Sequence, residues 1–81
     1  MTDNIRRDDM KPASATAAFD RQPAKAQAIL RRAAWKGAEQ GPIDLLWSVY
    51  DDCGGWIMVP TKGGRVVQVA IDPTAGKAVR L

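Results

Sequence analysis

Histidine is absent from this chain and cysteine occurs once, as Cys53. The usual zinc ligand sets are therefore unavailable, and no intramolecular disulfide can form. No stretch approaches the roughly 18 apolar residues of a membrane span. Met1 to Asp20 also lacks the apolar run of about 7 to 15 residues that marks a secretory signal, so the sequence reads as soluble and cytoplasmic, with no membrane partner. Aromatic residues number only five: three Trp, one Tyr and one Phe. Acidic residues are missing from 21 to 36, where Arg21, Lys25, Arg31, Arg32 and Lys36 stand without a counterion.

Reactive constellations are equally scarce. Asp51 and Asp52 are adjacent, and neighbours on a helix or strand point in different directions, so they would not share a proton or bracket a substrate. Cys53 has neither a histidine nor a nearby cation in sequence to form its thiolate. The glycine pairs 54–55 and 63–64 lack the Lys-Ser/Thr tail of a phosphate-binding loop and read as turns. The expectation is a non-catalytic protein with no metal and no cofactor.

The chain has 81 residues and a net charge of +3. Residues 1–40 hold eight Lys/Arg against five Asp/Glu, whereas residues 41–81 hold four of each. Residues 1–22 offer too little apolar area to offset the entropy of ordering them. They read as a disordered N-terminal arm, with Phe19 docking at the domain edge. Residues 23–81 remain as one small domain, and a domain of about 60 residues buries only about 60% of its unfolded surface. A macromolecular partner or a second copy would add burial, so a homodimer is among the expected states.

From Pro23, PAKAQAILRRAAWKG carries helix signals: Pro for the first turn, strong helix formers through the middle, cations in the last turns and Gly37 to close. At 100° per residue Ala26, Ile29, Leu30, Ala33 and Ala34 share one apolar arc, while Lys25, Arg32 and Lys36, with Arg21 if helical, form a cationic stripe. Residues 42–53 fit two patterns. Ile43, Leu46, Trp47 and Tyr50 follow helical spacing, while Leu45, Trp47 and Val49 alternate as in a strand. The hairpins downstream tip the expectation slightly to strand. There, Trp56–Pro60 and Arg65–Ile71 flank TKGG, and DPTAG leads into Lys77–Leu81. Val67, Val69 and Ile71 share one face of the middle strand, and Val66, Gln68 and Ala70 the other. The fold class is α+β: a basic helix on a three- or four-stranded antiparallel meander.

The run GGRVVQVAIDPTAGKAVRL resembles the closing hairpin of the PepSY domain, a small module with a helix laid on an antiparallel sheet. Extended upstream, AKAQAILRRAA stands where that family has its helix, and LLWSVYDD and WIMVPT where it has its first two strands. The resemblance implies a non-enzymatic module that inhibits or regulates peptidases, in a family usually exported or membrane-tethered. The absence of an export signal here sets the chain apart from that habit.

The candidate binding residues are Lys25, Arg31, Arg32, Trp35 and Lys36. Trp35 falls off the apolar arc and beside Arg31, and Trp with Arg is the pair most enriched at interface hot spots. Trp47 and Trp56 are expected in the core because of the area each buries. A cationic helix face with an exposed indole suits an acidic protein surface; nucleic acid is the alternative partner. A winged helix with 42–53 as recognition helix is disfavoured, since Asp44, Asp51 and Asp52 would be repelled by phosphates. The expected role is a cytoplasmic inhibitor or small regulatory subunit, of the kind that phages and mobile elements encode to block host machinery.

Overall fold

A computed structural model describes residues 15–81 of the chain. Among the described residues three helices lie on one face of a four-stranded sheet. In chain order the elements are α1 (Ala17–Asp20), α2 (Ala24–Lys36), β1 (Ala38–Gln40), α3 (Ile43–Cys53), β2 (Trp56–Pro60), β3 (Val66–Asp72) and β4 (Lys77–Arg80). The strand order is β1-β4-β3-β2, and every neighbouring pair is antiparallel. The α+β class and the antiparallel sheet are as the sequence led one to expect.

α2 follows its sequence signals. Pro23 precedes it in extended conformation, and Gly37 closes it by donating its N–H to the carbonyl of Ala33 at 2.8 Å. The residues it buries are Ala26, Ile29, Leu30, Ala33 and Ala34, the predicted arc. These pack on Ile57, Val59, Val69, Ile71 and Ala78, the alternate residues of β2, β3 and β4 that face the helices. β2 and β3 are joined through a single tight turn at Lys62–Gly64, where Gly63 takes a φ of 85° that a side chain would oppose. In the β3–β4 turn, Asp72 Oδ1 accepts the N–H of Ala75 at 3.1 Å.

Three expectations are corrected. Within residues 42–53, Ile43–Cys53 forms a helix rather than a strand, and the fourth strand is instead Ala38–Gln40. The reason lies in the topology. β1 and β2 occupy opposite edges of the sheet, three inter-strand steps or roughly 14 Å apart. An eleven-residue helix is about 16 Å long and makes that crossing. Gly54, at φ 82°, ends it and donates to the carbonyl of Tyr50 at 2.8 Å. The part of the PepSY likeness that set LLWSVYDD as a strand does not hold.

Second, the arm expected over residues 1–22 gives up its last part to the fold; residues 1–14 lie outside the described residues. Phe19 is 1% exposed and belongs to the core. Gln27 Nε2 donates to the Phe19 carbonyl at 2.9 Å, and Gln22 Nε2 donates to the Ala18 carbonyl at 3.0 Å and to Asp52 Oδ2 at 2.7 Å. One large aromatic side chain supplies enough buried area to hold a short helix that composition alone would leave unfolded.

Third, Trp47 and Trp56 are 43% and 51% exposed instead of buried. α3 turns Leu46 and Val49 inward, which leaves Trp47 on its outer side. Trp56 is excluded by strand alternation, because Ile57 and Val59 take the inner positions.

Phe19→Ala tests the place of this segment in the core. It should lower unfolding free energy by about 3 to 5 kcal/mol in urea titration, as buried Phe truncations do. A loss below about 0.5 kcal/mol, usual for surface positions, would show that residues 15–22 do not join the domain.

A candidate cationic groove beside Trp35

The apolar arc of α2 faces the sheet, so position 35, one residue or 100° beyond the buried Ala34, is turned toward solvent. Trp35 is accordingly 81% exposed. Beside it runs a groove of about 770 Å³ between the C-terminal half of α2, the β2–β3 hairpin and the end of β4. Ala34, Trp35, Pro60 and Val67 supply its apolar surface, and Arg31, Arg32, Lys62, Arg65 and Arg80 its cations. Among the described residues no carboxylate lines it.

Several of these cations are held in place. The Arg31 guanidinium lies 5.2 Å from the centroid of the Phe19 ring, within cation–π range. Arg80 Nη1 donates to the Ala34 carbonyl at 3.2 Å, occupying an acceptor in the last turn of α2. Arg32 Nε and Lys36 Nζ each contact one oxygen of Glu39, both at 3.0 Å. The Lys36 hydrogen bond, and after it that of Arg32, hold the Glu39 carboxyl below its usual range against a smaller opposing effect of desolvation. These are solvent-exposed bridges, so they orient side chains more than they stabilise the fold.

The predicted residues therefore divide. Arg31, Arg32 and Trp35 line the groove, whereas Lys25 and Lys36 do not. The continuous stripe of Arg21, Lys25, Arg32 and Lys36 is broken up: Arg21 lies beyond the helix and pairs with Asp52 at 2.9 Å, and Glu39 bridges Arg32 and Lys36. Lys62, Arg65 and Arg80 escaped the sequence reading because they are far from α2 in the chain. Strand parity held one usable sign, since Arg80 falls on the same face as the buried Ala78.

Elsewhere the chemistry is sparse. Asp52 accepts from Arg21 and Gln22. Among the described residues no cluster of three or more His, Cys, Asp or Glu could hold a metal ion, and no helix is long and apolar enough to cross a membrane. Cys53 is half-buried at the end of α3; desolvation pushes its thiol up, and the neighbouring Asp52 charge adds to the rise. Comparison with protein-family models, with curated proteins and with solved structures finds no match to the chain.

Three outcomes follow from this geometry. Glu39→Gln should release Arg32 and Lys36 and strengthen retention on heparin at neutral pH more than Asp44→Asn, which removes the same charge away from the groove; equal retention would show that Glu39 does not screen it. Because the Glu39 value is depressed, the bridge should persist to lower pH than an unperturbed glutamate would allow and be lost as pH falls further, which the carboxyl chemical shift followed by NMR through an acid titration measures. Alkylation of Cys53 at neutral pH should be slower than that of a free cysteine and should accelerate as pH rises, which a timed iodoacetamide reaction measures.

Proposed function

We propose that this chain is a non-catalytic binding protein that acts by occupying an acidic segment of another protein, as a small inhibitor or regulatory subunit. The observation that carries this reading is the pairing of an 81% exposed indole with a groove that mixes apolar and cationic side chains and, among the described residues, has no carboxylate. An exposed Trp loses conformational and solvation freedom only when something covers it, and Trp with Arg dominates the binding energy of many interfaces. The apolar residues of the groove give a partner's hydrophobic anchors a place to be buried, while Arg31, Arg32, Lys62, Arg65 and Arg80 answer the carboxylates around them. Anchoring of Arg31 on Phe19 and of Arg80 on the Ala34 carbonyl reduces the ordering entropy that binding must overcome. The inhibitory role implied by the PepSY likeness belongs to the same class, as does the small blocking protein of a phage or mobile element.

Nucleic acid is the second reading, favoured by one observation: five of the groove's ten lining residues are Lys or Arg, and an aromatic stacking surface stands among them. Against it, Glu39 sits on Arg32 at the groove's border and would repel a phosphate backbone.

Co-purification from nuclease-treated lysate, followed by titration of the recovered protein against Trp35→Ala, separates the two. Trp35→Ala should weaken the protein complex by about 30-fold, the loss typical of an interface hot spot, with an unchanged circular dichroism spectrum. If binding disappears with nuclease and single-stranded oligonucleotides bind irrespective of sequence, with a steep loss as salt rises, the nucleic-acid reading replaces it.

A further inference from the structure

The sheet has two unlike faces. Ile57, Val59, Val69, Ile71 and Ala78 lie beneath the helices. Their strand neighbours, among them Trp56, Met58, Ala70 and Val79, point the other way, where no described helix packs. Cross-strand register sets Trp56, Ala70, Val79 and Ala38 in one row across the uncovered face. Within the strands, charge on this face is confined to one end, where Asp72 stands opposite Lys77.

We infer that this uncovered sheet face binds a second copy of the chain about a two-fold axis running along the strands, between β3 and β4. The strand order β1-β4-β3-β2 places two strands on each side of that line. Rotation about it lays β3 over the partner's β4 and β2 over the partner's β1. Trp56 then meets the small partner's Ala38, Ala70 meets the partner's Val79, and Asp72 meets the partner's Lys77, each contact occurring twice, as an isologous interface requires. Large falls on small at Trp56 and acid on base at Asp72, while Gln68, beside Met58 on the same face, contributes a polar amide. Aligned packing of two twisted sheets about 10 Å apart, at roughly −30°, has the same geometry.

Composition argues for this occupant over others. The centre carries no charge, so an acidic protein or a phosphate backbone finds no ion-pair partner there. Residues 1–14 carry six charged side chains (Asp3, Arg6, Arg7, Asp8, Asp9 and Lys11), which would be desolvated against it. With strands about 4.8 Å apart and residues about 3.3 Å apart, the face offers a footprint of roughly 300 Å² per copy, below the approximately 800 Å² of a standard interface. The dimer is accordingly reversible and concentration-dependent. The groove beside Trp35 lies on the helix side, so pairing leaves both grooves open, directed away from the shared face. The inference does not rest on what the groove binds.

Sedimentation velocity of the full chain between about 10 μM and 1 mM, the range of weak interfaces, reads the association directly. A monomer–dimer equilibrium is expected. Val79→Lys and, at a half-exposed site, Trp56→Lys should each leave only monomer with unchanged circular dichroism. Ala38→Trp should also break the dimer by setting indole against indole, and adding Trp56→Ala should restore it by exchanging the large and small partners. A chain that stays monomeric throughout, a dimer that survives Val79→Lys and Trp56→Lys in folded protein, or one indifferent to Ala38→Trp would overturn the inference. Trp35→Ala should not alter the equilibrium, which keeps this result independent of the groove.

Discussion

Close contact between the small-residue face of α2 and the inner face of the sheet fixes the rest of the molecule. Ala26, Ala33 and Ala34 are 2% exposed or less, and with no long side chains at these positions the helix lies close to Val59, Val69 and Ala78. Rotating α2 by one residue would push Trp35 or Arg32 into that space, at a cost no other contact in so small a domain could offset. The orientation of the helix is therefore over-determined. With it comes the outward position of the indole, the approach of Arg31 to Phe19, and the bond from Arg80 to the end of the helix.

Charge is sorted around this packing. α3 contributes Asp44, Asp51 and Asp52 and no cation, and one of these, Asp52, is used to tie down Arg21 and Gln22. The groove collects cations from α2, the β2–β3 hairpin and β4. A protein whose two halves differ in charge content presents partners with surfaces that are not interchangeable, and Glu39 marks the groove's border by holding Arg32 and Lys36. Such an arrangement acts on anionic groups at long range more than it adds stability.

Small size also explains why so much apolar surface stays outside. Two layers of about sixty residues cannot enclose every large side chain. The core holds Phe19, Leu30, Leu46 and Ile57, while all three Trp residues remain at least two-fifths exposed. Among the described residues no third layer covers the outer sheet face, and Trp56 stands at its edge.

Local signals in the sequence settled α2 and the two hairpins, because each depends on residues adjacent in the chain: Pro23 and Gly37 around an alanine-rich arc, Gly63 and Gly64 in a tight turn, Asp72 before Pro73. They also settled that Trp35 lies off the buried arc. Tertiary structure alone decided that residues 43–53 cross the sheet as a helix, because their apolar pattern suits both periods and only the separation of β1 from β2 selects between them. It alone placed Phe19 inside and Trp47 and Trp56 outside, since burial depends on which positions the inner layer has room for. And it alone assembled the groove, because Lys62, Arg65 and Arg80 reach α2 through the antiparallel return of the chain, a long-range pairing that no window along the sequence contains.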